Sequence, residues 1–171
     1  RYSIRFSQSI TIGEDLLFNL AYQLRAGSCV YIPTPVYHYD MHTGSSSRRF
    51  NPKLWENHMR LQGQVKHLLK ICSSFSLFEN DYYSYSLENM TYVLIHGIFC
   101  PHSTRTYREN RRLCSKMQEN KIYRQAMKYN LRSGILPRRI LVFFFRLKCY
   151  PAVCLISKIS YRYLLKKETN R

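Results

Sequence analysis

The sequence predicts an α/β chain that is mostly α-helical, with two short strands near its N-terminus. Three observations predict this. From Leu54 onward, apolar residues recur every three to four positions, the spacing of one helix face. Before that point, two β-rich runs, Ser28–Ile32 (SCVYI) and Val36–Tyr39 (VYHY), are set apart by Pro33 and Pro35. Apolar residues make up 45% and charged residues 22% of the 171 positions, which supports one packed domain and excludes wholesale disorder.

Each element follows in order. Thr11-Ile-Gly-Glu14 has the S/T-x-x-E spacing of a capping box, which predicts a helix beginning just after Thr11. Leu17, Leu20, Ala21 and Leu24 give that helix a buried face, and Gly27 is placed to end it. The two strands come next, then a polar loop from His42 to Ser47, closed by Arg48 and Arg49. After Pro52, Leu54, His58, Leu61, Val65, Leu68 and Cys72 share one face of a long helix. Leu87, Met90, Leu94 and Ile98 share a face of another. Thr104–Leu131, rich in Arg, Lys, Gln and Tyr, reads as a mostly solvated helix or helix pair. The apolar runs Arg138–Arg146 and Val153–Tyr161 are studded with bases and separated by Pro151, which predicts two short helices.

Charge is unevenly spread. Lys and Arg number 27 against 10 Asp and Glu, a net +17. Residues 1–50 carry +2, residues 51–100 carry 0, and residues 101–171 carry +15. A basic third on a near-neutral body predicts an anionic partner, nucleic acid or a phospholipid surface. The tail favours the phospholipid surface. Phe143, Phe144 and Phe145 beside Arg and Lys suit helices lying in a headgroup layer, against the alternative of helices packed on the domain with a basic outer face. The longest stretch without Asp, Glu, Lys or Arg is the sixteen residues Asn89–Thr104, too short and too interrupted to span a bilayer.

None of the six cysteines forms a C-x-x-C pair, and no signal-peptide pattern marks secretion. Cys100, His102 and Cys114 read as core and surface residues ahead of a metal set, and reduced thiols fit a cytoplasmic protein. The chain opens on Arg1 without Met and reaches its most suggestive chemistry within fifteen residues, so it reads as part of something longer.

That chemistry is Gly13-Glu14-Asp15. Two carboxylates at a helix start are favoured by the helix dipole and need no function. The ordered set is more telling: Gly13-Glu14-Asp15-x-x-Phe18-Asn19, a helix, a strand ending in Pro, then Tyr37-x-Tyr39-x-x-His42-x-Gly44-Ser45. It resembles the C-terminal half of the catalytic domain of bacterial family-two glycosyltransferases, most closely over residues 1–50. The resemblance implies a GT-A fold and inverting transfer from a nucleotide-diphospho-sugar to a glycan or lipid-linked acceptor in cell-surface polysaccharide synthesis. It also implies a divalent cation, Mg or Mn, in the complete enzyme and none held by this part alone. By that match Asp15 is the general base and Glu14 its neighbour, bonding the acceptor or holding the helix end. His42 falls at a metal or diphosphate contact, although a histidine in a Gly/Ser loop by itself reads as a surface residue. Asp40 stands where the family commonly has Arg, which leaves Arg48 and Arg49 to meet the donor phosphates. No Asp-x-Asp occurs, so the donor-binding half is expected upstream.

On this reading residues 1–50 are the catalytic part, 51–135 a helical extension and 136–171 a basic tail that docks peripherally at the inner face of the cell membrane. The alternatives are a helical membrane-surface adaptor without catalysis or, less favoured, a nucleic-acid-binding module. The aromatics cluster with Leu, Ile and Val, so no specific nucleic acid is expected.

Overall fold

A computed structural model describes residues 3–35, 37, 50–129 and 136–169, with the backbone alone at 137 and 165–169. Among the described residues, seven α-helices and one π-helical turn follow one another: α1 Glu14–Gln23, α2 Leu54–Ile71, α3 Phe75–Tyr92, the π turn Val93–Ile98, α4 Tyr107–Glu119, α5 Lys121–Ala126, α6 Leu136–Arg146 and α7 Tyr150–Thr169. Two compact units divide them. The first holds the N-terminal residues with Glu56–Ser76, the second Phe50–Trp55 with everything from Leu77 onward.

The described residues contain no strand, which overturns the α/β, GT-A-like expectation and its two short N-terminal strands. Ser28–Ile32 is irregular backbone, with Val30 86%, Tyr31 87% and Ile32 67% exposed. The reason is physical. β-branched and aromatic residues favour extended backbone, but a strand exists only through hydrogen bonds to a neighbouring strand, and a half-buried one alternates its burial. Here all three successive side chains face outward. Of Val36–Tyr39 only Tyr37 is described, exposed and outside any strand.

In the first unit, Gly13 adopts φ 82°, the left-handed region, and is the residue from which α1 departs, with no side-chain cap. The expected box from Thr11 does not form; the helix starts at Glu14 instead. It also ends before Gly27, with Leu24 as its last half-helical residue. Leu17, Leu20, Ala21 and Leu24 form its better covered face, but none is fully buried. The interior of this unit comes from Ile10 and from Leu61, Val65 and Leu69 of α2. Ser9 receives a hydrogen bond from Gln64 Nε2 at 3.1 Å, and Phe6 stacks on Phe18 at 4.3 Å.

The second unit holds most of the core. Leu87, Met90 and Leu94 are completely enclosed and Ile98 nearly so, as their spacing requires. The helix continues as a π turn from Val93, and the Phe99 N–H reaches back to Leu94 O at 2.9 Å. Arg105 donates to Gly97 O at 3.4 Å and to Pro52 O at 2.6 Å, tying this turn to the segment before α2.

α4 opens with a true capping box. The Thr106 hydroxyl accepts from the Glu109 N–H at 3.3 Å, and Glu109 Oε2 accepts from the Thr106 N–H at 2.7 Å. Asn120 ends α4 and starts α5, its side chain accepting from the Ile122 N–H at 2.9 Å. The pair is less solvated than expected, because Cys114, Met117, Tyr123 and Ala126 are fully enclosed. Gln118 is also buried: it donates to Phe145 O and accepts from the Tyr150 hydroxyl at 2.7 Å, bracing α4 against the α6–α7 junction. α7 packs on α6 and on the π turn through Val153, Ser157 and Tyr161, while α6 buries Leu141, Val142 and Phe145. Pro151 sits in the first turn of α7, where a missing N–H costs nothing; the break itself lies at Leu147–Cys149.

Candidate functional site

The motif around Asp15 separates into three physical jobs. Gly13 makes the left-handed turn into α1, and a Cβ placed on it would lie 2.5 Å from Leu61 Cδ2. Glu14 and Asp15 occupy the first helical turn, where unsatisfied N–H groups and the helix dipole favour negative charge. Phe18, one turn further on, packs against Phe6. Glu14 is half-buried and Asp15 exposed, with Asp15 Oδ1 accepting from the Leu16 N–H at 2.8 Å. The two carboxylates are therefore side by side on a helix anchored from beneath. Asp15 is the more exposed of the two.

Of the other sequence-derived site residues, His42, Arg48 and Arg49 lie outside the described residues, as does Asp40. The divalent cation implied by the resemblance finds no ligand set among the described residues, since no three His, Cys, Asp or Glu side chains converge there. Cys100 and Cys114 are core thiols, and burial pushes the Cys114 thiol up to about 12.

Further along α1, a cavity of about 460 Å³ opens beside the same helix. Leu17, Ala21 and Arg25 line it from α1, Gln64 and His67 from α2, and Arg5 from the N-terminal segment. Arg25 is held by donating Nη1 to Ala21 O at 2.9 Å. The sequence reading missed this cavity because Leu17 and Ala21 read as a filled core face. The signal for it was Arg25, which continues their four-residue spacing with a charged side chain. Two guanidinium groups and an imidazole bordering a cavity suit an anionic or hydroxyl-rich ligand.

Comparison with curated proteins places this chain beside a protein of Bacillus subtilis (strain 168) named "Putative glycosyltransferase EpsH". The two are 24% identical over 168 residues, covering 92% of this chain and 46% of that protein. The chain thus spans just under half the length of that relative. No protein-family model matches the chain, and no solved structure matches it. The likeness supports a glycosyltransferase relationship.

Proposed function

We propose that this chain is the acceptor-side, C-terminal part of an inverting glycosyltransferase that moves a sugar from a nucleotide-diphospho-sugar to an acceptor hydroxyl during cell-surface polysaccharide synthesis. The observation that carries the reading is the likeness to a glycosyltransferase over 92% of the chain. The exposed Asp15 at the start of α1 supplies the group such a reaction needs. A sugar hydroxyl is a poor nucleophile until a positioned base removes its proton. Asp15 takes that proton as the hydroxyl oxygen bonds to the anomeric carbon and the bond to the diphosphate breaks. Glu14, less exposed, orients the acceptor or holds the helix start. Arg48, Arg49 and His42 are proposed to face the donor diphosphate, and the cavity rimmed by Arg5, Arg25 and His67 suits acceptor or donor groups flanking the reacting centre.

The test uses the enzyme completed to the full length of its relative. Asp15→Asn lowers turnover about 10²–10⁴-fold with an unchanged melting temperature, because Asn keeps the size of Asp at a helix start. Glu14→Gln lowers it less. If Asp15→Asn retains turnover within a few-fold and Glu14→Gln abolishes it, the base is the other carboxylate. If both variants stay active, the pair is structural. The 171-residue chain alone is expected to give no transfer from any donor.

A further inference from the structure

An ordinary surface helix has one apolar face, turned inward, and a polar face turned to water. α6 and α7 depart from that rule. The inward face of α6 is Leu141, Val142 and Phe145, all buried. Its opposite face carries Leu136, Ile140 and Phe143, spaced four and three residues apart and 69%, 39% and 56% exposed, and Leu147, 61% exposed, continues the line just past the helix end. α7 repeats the pattern. Val153, Ser157 and Tyr161 face inward, while Leu155, Ile159 and Tyr163 form a continuous outward line at four-residue spacing. The consecutive phenylalanines are thus divided: Phe145 belongs to the core, Phe144 is half-covered and Phe143 points to solvent.

Exposed bases accompany both stripes: Arg139 and Arg146 on α6, Lys148 just beyond it, and Lys158 and Arg162 on α7. No Asp or Glu occurs between Glu119 and Glu168, so Glu168 in the last turn of α7 is the one acidic residue in the sequence of these two helices. Among the described residues no helix is long and apolar enough to cross a membrane. We propose that the outward faces of α6 and α7 adsorb to an anionic phospholipid layer. The aliphatic and Phe143 side chains enter the acyl boundary, and the flanking Arg and Lys heads meet lipid phosphates. Charge complementarity selects this occupant. A protein groove would cover the stripes without needing the bases, and a nucleic acid would need aromatic stacking faces where the stripes offer mainly Leu and Ile. Long basic side chains suit the lipid boundary because their stems cover apolar surface while their heads reach the phosphates. The proposal does not depend on the transferase reading.

The test is co-sedimentation of the 171-residue chain with vesicles of phosphatidylcholine alone or with about one third phosphatidylglycerol. Binding rises with the anionic lipid and weakens with salt. Ile140→Ser/Phe143→Ser and Leu155→Ser/Ile159→Ser each reduce partitioning at least about tenfold, as does the combined neutralisation of Arg139, Arg146, Lys158 and Arg162 to Gln. Val30→Ser/Tyr31→Ser, more exposed still but on the first unit, leaves it unchanged. As a conservative probe, Phe143→Trp gains fluorescence quenching by brominated lipid while the native Trp55 does not. Unchanged sedimentation of the stripe variants, or no quenching at position 143, overturns the proposal. So does dissociation of a self-associated species by those variants without loss of vesicle binding, which assigns the stripes to a second copy of the chain. Preferential, salt-sensitive binding to oligonucleotides over anionic vesicles overturns it as well.

Discussion

Gly13 meets Leu61 with no room for a side chain between them: a Cβ on Gly13 would stand 2.5 Å from Leu61 Cδ2, and Leu61 is itself 2% exposed. This contact sets the position of the α1 N-terminus and hence of Glu14 and Asp15. Gly13→Ala combines a displaced core leucine with a backbone at φ 82°, so a loss of about 1–3 kcal/mol in denaturant stability is expected. Pairing it with Leu61→Ala removes the clash but not the backbone strain, so the two costs are less than additive in a double-mutant cycle. Full additivity would show that the contact does not constrain α1. On the proposed function, Gly13→Ala in the completed enzyme is also expected to lower turnover, because it shifts both carboxylates.

Two T-x-x-E sequences occur, and only one closes. Thr106→Ala should cost about 1 kcal/mol, since its hydroxyl accepts the Glu109 N–H, whereas Thr11→Ala should be close to neutral. Urea unfolding of the two variants checks this. Hydrogen bonds from Thr106 hold the Glu109 carboxyl below its usual range, so its contribution is present above the ordinary carboxylate value and disappears as pH falls through the lower folded value. The difference between wild type and Glu109→Gln should therefore shrink in strong acid.

Ser157 is fully enclosed on α7, and its hydroxyl has no hydrogen-bond partner among the described residues. Ser157→Ala removes a buried polar group while leaving the packing almost unchanged. It should stabilise the chain by about 1 kcal/mol, read as a rise in melting temperature. A fall in melting temperature would show that the hydroxyl is satisfied in solution.

Burial, with a smaller contribution from Cys154, raises the Cys114 thiol from its ordinary 9.0 to about 12. Because the folded value is the higher one, this contribution is intact below pH 9 and lost as pH rises toward 12. Burial also raises Tyr82, which acts in the same direction. Denaturant midpoints should fall steadily above pH 9, and Cys114→Ala should be less stable at neutral pH but flatter across that range. In thiol labelling at neutral pH, exposed Cys29 reacts first and Cys114 only on unfolding.

The candidate site was partly legible for a physical reason. Glu14 and Asp15 were recognisable because their order and their place at a helix start are local properties. The cavity lined by Arg5, Arg25 and His67 was not, because it joins residues from three separated segments, and no single stretch of sequence records that meeting.

By itself the sequence determined the helices from Leu54 onward, the enclosure of Leu87, Met90, Leu94 and Ile98, and the concentration of positive charge in the last third. These depend on spacing and composition, which act within one or two helical turns. Tertiary structure alone decided that Ser28–Ile32 forms no strand, because pairing requires a partner distant in sequence. It also decided that Gln118 is buried, because a polar side chain can be enclosed only where Phe145 O and the Tyr150 hydroxyl are brought to meet it. The same holds for Phe143 and Phe145, equal in chemistry and two residues apart: which one joins the core and which one faces outward depends on the rotation of α6 against α7 and the rest of its unit.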